Sequence, residues 1–340
     1  MKLILIVAAV ILAHVFLLWS IFRTDPASPL PTPPAPGEQV DAADATDQAK
    51  PEEIQERRPL AQVDERMNFD RFSRPNLTLS GAVAELAEDC RAGLLVDWSN
   101  RRVLWEKDAA RAVPIASMAK MMTALRLMEE VDRRADWSLQ TPVRVTRSAA
   151  AVGGRQVWLD PRETFTLDEL LKIIMIHSAN DAAYLIAEFI GEGRVEGFVE
   201  SMNQRARELG MAQAEFVNPH GLDTRADGPQ NRASAYELAW LAARLLEYPR
   251  VVHWSSTWTS SIRDDDARFD RFDLVNTNRL VHSLSGVDGM KTGYTGVAGF
   301  CLTATCRRDG RRLIAVVTGS PSADARNRLV EALFEWGYQQ

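Results

Sequence analysis

The stretch RAVPIASMAKMMTALRLMEE, residues 111–130, decides how this chain is read. Met118, Met121, Met122, Leu125 and Met128 recur at helical spacing, so an amphipathic helix with one buried face is expected. Ser117 and Lys120 sit three apart in its first turn and share a face. A serine hydroxyl is a weak nucleophile until a base takes its proton. Lysine is such a base only when burial or a neighbouring cation depresses its pKa. Pro114 suits the start of a helix, where free N–H groups favour negative charge beside Ser117. Taken alone, S-x-x-K is a chance-level pattern in a chain of 340 residues, so the reading depends on what accompanies it.

Two further segments accompany it. HSANDAA, residues 177–183, places Ser178 and Asn180 around Ala179, where the helix opened by the capping box Thr166–Glu169 ends and another begins. Either side chain is able simply to cap that second helix. The chemical alternative has Ser178 relaying a proton and the Asn180 amide holding a substrate amide. VDGMKTGYTGVAGFC, residues 287–301, reads as a strand. Lys291 and Thr292 are suited to hold a carboxylate, and Lys291 to supply the positive charge that depresses Lys120. Gly293 within a strand permits another backbone to approach closely, here a substrate lying antiparallel.

The flanking text supplies the frame. GLLVDW and RVLWEK surround the turn residues Ser99 and Asn100 as a hairpin, preceded by a short helix near 79–91. A second capping box, Ser234–Glu237, opens a helix. Gly289–Tyr294, FCLTATC and RLIAVVTG read as strands, and SADARNRLVEALFEWGY closes the chain as a helix. The expected fold is an α/β (α+β) domain over 76–340. Its sheet is built from both ends, with a helical region of about 117–270 inserted.

Outside that domain the text changes. Between Lys2 and Arg23 there is no charge, a length that crosses a bilayer at about 1.5 Å per residue. The exit LLWSIFR is bulky, so an uncleaved signal anchor over 1–23 is expected rather than a cleaved signal peptide. Residues 24–75, dominated by proline, alanine and acids, read as a disordered tether reaching on the order of 40 Å r.m.s.. A formal net charge of −6 argues against a nucleic-acid partner. The five histidines are scattered, so neither a metal site nor a cofactor is expected. Cys301 and Cys306, about 16 Å apart on one strand, are too far apart to bridge, and Cys301 reads as a packed thiol.

The three motifs, in this order, resemble the penicillin-binding, serine-active β-lactamase-like superfamily, with Ser-Ala-Asn standing where S-D-N is usual. PIASMAKMMTAL, IMIHSANDAAYLIAE, FVESMNQRARELGM, FVNPHGLD and VDGMKTGYTGVAGFC narrow the resemblance to D-alanyl-D-alanine carboxypeptidases over about 90–340. The resemblance implies a transpeptidase-like fold with an antiparallel sheet. It implies Ser117 as acylated nucleophile, Lys120 as its general base, Ser178 as proton shuttle and Asn180 as substrate ligand. Lys291 and Thr292 would bind the terminal carboxylate beside Gly293, with Arg326 attracting it through its planar fork. The backbone N–H groups of Ser117 and Tyr294 would form the oxyanion hole. The implied substrate is a peptidoglycan stem peptide, with β-lactams as covalent inhibitors. The catalytic domain is then expected on the extracytoplasmic side of a bacterial cytoplasmic membrane, held by the single N-terminal span.

Departures from that family are also legible. Tyr294 stands where many members carry histidine, and the second all-β domain of many members is not expected after the closing helix. Glu215 and Asn218 fall one residue short of the E-x-x-x-N pattern of a class A β-lactamase, which argues against that activity. A D,D-endopeptidase, or a penicillin sensor that does not turn over, are the competing readings.

Overall fold

The computed structural model describes residues 66–223, 228–264 and 266–340. The anchor expected over 1–23 and the tether over 24–65 lie outside the described residues. Among the described residues no helix is long and apolar enough to cross a membrane.

After a 3-10 turn at Phe69–Arg71 come helix α1 (Gly81–Glu88), strands β1 (Ala92–Asp97) and β2 (Arg102–Lys107), and the short strand β3 (Val113–Pro114). The helical region holds α2 (Lys120–Arg133), α3 (Arg147–Ala150), α4 (Leu167–Ile176), α5 (Asn180–Ile190), α6 (Val195–Glu208), α7 (Ala235–Leu245) and α8 (Pro249–Ser256). Short antiparallel pairs punctuate it: β4 (Pro142–Arg144) with β5 (Thr164–Thr166), β3 with β6 (Arg232–Ala233), and β7 (Thr259–Ile262) with β8 (Phe272–Val275). The chain then runs through α9 (Leu280–Ser283), β9 (Val287–Thr295), β10 (Gly299–Arg308), β11 (Arg311–Ser320) and α10 (Ala323–Tyr338).

The main sheet has five strands in the order β2-β1-β11-β10-β9, every neighbour antiparallel. The α/β (α+β) fold with a sheet built from both ends is therefore present, β1 pairing with β11 at Leu94–Val316 and Val96–Ile314. Alternation along the strands sends Leu94, Val96, Ile314 and Val316 toward the helical region. Their neighbours Leu95, Leu313, Ala315 and Val317 pack with Leu329, Leu333 and Phe334 of α10. Both faces are covered, which is why these strands read as nearly continuous apolar runs.

Two expectations need correction. Residues 66–75, assigned to the tether, are part of the fold: Phe69 and Phe72 are buried and pack on Trp98, and Phe69 also meets Tyr236 and Trp240. A composition window dilutes two isolated phenylalanines among polar neighbours. The second correction falls on 111–130, which is not helical throughout. Pro114 lies in β3, paired with Arg232, and residues Ala116–Ala119 form a 3-10 turn before α2 begins at Lys120. Ala116 has φ +48°, which no right-handed helix accommodates.

Both capping boxes form, with Thr166 and Ser234 accepting from the N–H of Glu169 and Glu237 while those carboxylates reach back. The Glu237 carboxylate also accepts from Gln213 N and Ala214 N, so this cap anchors a neighbouring loop. Ser234→Ala is expected to cost about 1 kcal/mol of folding free energy, read as a lower urea midpoint at unchanged slope.

Candidate active site

The segment before α2 enters the site from β3, turns at Ala116 and presents Ser117. It is held from two sides. A Cβ on Gly293 of β9 would lie 2.5 Å from Ile115 O, and one on Gly221, at φ +82°, would lie 2.0 Å from Ala116 O. Gly293 therefore does permit close approach, but the approaching backbone is the chain's own serine-bearing turn.

Lys120 has no exposed surface. Its Nζ lies 3.1 Å from Ser117 Oγ, 2.7 Å from Asn180 Oδ1 and 2.6 Å from His220 O. The Asn180 amide is oriented by donating Nδ2 to Gly153 O at 2.9 Å, which leaves its oxygen for Lys120. The carbonyl of His220 is presented by the Asn218–Leu222 turn. There Gly221 N donates to Asn218 Oδ1 at 2.6 Å and Asn218 Nδ2 to Leu222 O at 3.0 Å. A neutral amine has two N–H donors and one lone pair. Asn180 Oδ1 and His220 O offer only acceptors, so in the neutral state they take the two donors and leave the lone pair for the Ser117 hydroxyl. Burial pushes the Lys120 pKa well below the ammonium range, and the Lys291 cation adds to that shift while Asp181 opposes it.

Ser178 and Asn180 follow α4. The N-cap of α5 is Ala179, and no side chain caps it, so neither residue serves the capping role. Ser178 instead sits at φ +66° and accepts from Lys291 Nζ at 2.7 Å. Lys291 is buried on β9, with its pKa lowered to about 7 by burial first and then by Arg155 and Arg326. Thr292, next on the strand, has its hydroxyl 2.7 Å from Thr277 Oγ1. Ser117, Ser178, Asn180, Thr292, Gly293 and Arg326 line one cleft of about 1070 Å³. Lys120 and Lys291 sit beneath it.

The remaining expected residues are also placed there. Tyr294 lines the cleft with its ring 57% exposed and stacked on Phe300, 4.2 Å between centroids. Arg326 of α10 is 4% exposed, so it is no solvated surface charge. It donates from Nη1 to Cys301 O at 3.2 Å and from Nε and Nη2 to Asn327 Oδ1. Burial lowers its pKa to about 10. Cys301 is a fully buried free thiol, and Cys306 is free as well. Glu215 only pairs its backbone with Arg232.

Several contributors carry no signal in the sequence reading. The His220 carbonyl and Gly221 act through backbone, which no side-chain pattern announces. Arg155 lines the cleft from a loop whose text, VGGRQVW, looks like an ordinary connection. Thr277 and Arg279 precede α9 without a recognisable motif. No group of His, Cys, Asp or Glu among the described residues is arranged to hold a metal ion.

The two glycine contacts make a direct test of the packing. Gly293→Ala is expected to cost about 2 kcal/mol through overpacking against Ile115 and Ala116. Gly296→Ala, with nothing within 4 Å of the added carbon, is the control and should shift stability by less than about 0.5 kcal/mol in the same denaturation experiment.

Residues 81–322 match the family model for peptidase S11, described as D-alanyl-D-alanine carboxypeptidase. The chain is 38% identical over 257 residues to D-alanyl-D-alanine carboxypeptidase DacF of Bacillus subtilis, covering 76% of this chain and 64% of that protein. It is 32% identical to D-alanyl-D-alanine carboxypeptidase DacC of Escherichia coli, covering 74% of this chain and 62% of that protein. The matched region thus spans somewhat less than two thirds of these two relatives. Among solved structures, ampicillin-bound penicillin-binding protein D2 of Listeria monocytogenes superposes with a TM-score of 0.65 at 29% identity, covering 78% of this chain and 100% of that one. With the fold, the three motifs and their convergence on one cleft in hand, the chain belongs to the D-alanyl-D-alanine carboxypeptidase family, peptidase S11.

Proposed function

We propose that this chain is a serine-type D-Ala-D-Ala carboxypeptidase that removes the terminal D-alanine from peptidoglycan stem peptides through an acyl-enzyme. The observation that carries the reading is the fully buried Lys120 amine with its Nζ 3.1 Å from Ser117 Oγ. In this mechanism neutral Lys120 accepts the Ser117 proton as Oγ attacks the carbonyl of the penultimate residue. The backbone N–H groups of Ser117 and Tyr294 receive the developing oxyanion. Ser178, bonded to Lys291, passes its proton to the departing D-alanine nitrogen and takes up the one Lys120 received, so Lys120 is neutral again for deacylation. Asn180 holds the acyl-side amide, and Lys291 and Thr292 hold the terminal carboxylate beside Gly293, with Arg326 contributing field from below. Water then hydrolyses the ester on Ser117 and restores the serine.

β-Lactams present a strained amide in place of the scissile bond and acylate Ser117 in the same way. The substrate chemistry sets the domain outside the cytoplasm. The uncharged segment between Lys2 and Arg23 then serves as its membrane anchor, with residues 24–65 as the tether.

Incubating the full-length chain with benzylpenicillin and measuring intact mass tests the nucleophile. One adduct per chain is expected, absent in Ser117→Ala. Pentapeptide turnover with stoichiometric D-alanine release separates a carboxypeptidase from a sensor that only acylates.

The lysine pair also predicts a pH profile. Lys120 works as the neutral amine, so kcat/KM rises as pH increases through its depressed pKa. Lys291 works as the cation, so kcat/KM falls as pH rises past about 7 in the free protein. A bound substrate carboxylate raises the Lys291 pKa, so the descending limb of kcat should lie at higher pH than that of kcat/KM. A Lys291→Arg variant stays charged and should lose the descending limb, whatever its absolute rate.

A further inference from the structure

The cleft holds a cation that the proposed mechanism leaves unused. Arg155 is exposed, lines the cleft, and among the described residues no carboxylate pairs with its guanidinium. Its loop is fixed at several points. Asn180 N donates to Arg155 O at 2.7 Å and Asn180 Nδ2 to Gly153 O at 2.9 Å. The buried Asp181 carboxylate accepts from Val157 N at 3.1 Å and from Leu159 N at 3.2 Å. Arg263 donates to Val157 O and Trp158 O and is paired with the buried Glu163. The backbone on both sides of Arg155 is therefore held, while its side chain is free to meet what enters the cleft. Long cations are costly to hold in one place, so a fixed base under an unpaired fork is a prepared anion contact.

The position relative to Asn180 says which part of a substrate it meets. Resting on the reading above, Asn180 holds the amide of the residue that precedes the two D-alanines. Asn180 N donates to the Arg155 carbonyl and both residues line the cleft, so the Arg155 loop borders the stretch where that residue would sit. The terminal carboxylate has its own cations, Lys291 and Arg326, and Arg279 adds positive potential at the Arg326 end. Arg155 adds it at the Lys291, Lys120 and His177 end.

We propose that Arg155 is a specificity residue that selects stem peptides whose third residue carries a side-chain carboxylate, a diamino dicarboxylic acid rather than lysine. The diamino dicarboxylic side chain ends in a carboxylate beside its ammonium and can meet the guanidinium in a two-point contact, whereas lysine brings the ammonium alone, a like charge.

The test uses the full-length chain and two Nα-acetyl tripeptides, X-D-Ala-D-Ala, with X either meso-2,6-diaminopimelate or L-lysine. Their terminal carboxylates are identical, so only the side chain differs. The wild-type chain should favour the diaminopimelyl peptide in kcat/KM by about tenfold or more. Arg155→Ala should collapse that ratio toward one, and Arg155→Glu should invert it. Retention of the penicillin adduct in both variants shows that they are folded. An equal fall for both peptides would assign Arg155 to the terminal carboxylate, and an unchanged ratio would remove it from recognition; either outcome overturns the proposal. Wild-type chain that releases no D-alanine from either peptide would instead sink the carboxypeptidase reading itself.

Discussion

The structure turns on one buried amine. Lys120 has no exposed surface, and burying it as an ion would cost several kcal/mol. The cost falls if the group is neutral and every hydrogen-bonding site on it is met. That condition fixes three unrelated parts of the chain at once: the turn carrying Ser117, the first residue of α5 and the Asn218–Leu222 turn. Thr123 on α2 adds a further tie, donating to Pro219 O at 2.7 Å. The second lysine strengthens the arrangement. Lys291, bonded to Ser178 Oγ and Thr292 O, is lowered only to about 7, while Lys120 is pushed well below the ammonium range by burial and by the Lys291 charge.

Such a site needs a rigid wall, and the sheet supplies it. β9 is the edge strand of a sheet whose centre, β1 and β11, joins the two ends of the domain. One face of that strand is closed at Gly293: the turn before α2 packs so closely on it that no side chain fits between them. The same contact sets the depth of Ser117 relative to Lys291, which is how a long-range sheet topology reaches the chemistry.

Much of this is legible in the text. The motif residues announce themselves because their chemistry resides in side chains at fixed spacing. Ser117 and Lys120 are three apart whether the intervening turn is 3-10 or α, so their pairing does not depend on which of the two forms. The capping boxes at Thr166 and Ser234 are local rules and hold as local rules do. What escapes is backbone work. The His220 carbonyl, the Gly221 contact and the Arg155 carbonyl have no side-chain signature, and each depends on a partner tens of residues away. Residues 66–75 escape for a different reason: two buried phenylalanines define the fold boundary there, and a composition average hides them.

The strained backbone points the same way. Ala116 at φ +48° and Ser178 at φ +66° are left-handed without being glycine, a conformation that costs of order 1 kcal/mol or more. Each lies at a bend where the helical path must break to aim a hydroxyl: Ser117 follows the first, and Ser178 is itself the second. A regular helix through 113–120 would carry Ser117 on the face of α2 and away from Gly221 and Gly293. A regular continuation of α4 into α5 would turn Ser178 away from Lys291. The doubly covered sheet and the apolar faces of α2, α4 and α5 provide the stabilisation against which that strain is held. Of the eight described non-glycine residues at positive φ, Ala116 and Ser178 are the two that border the hydroxyls bonded to the buried lysines.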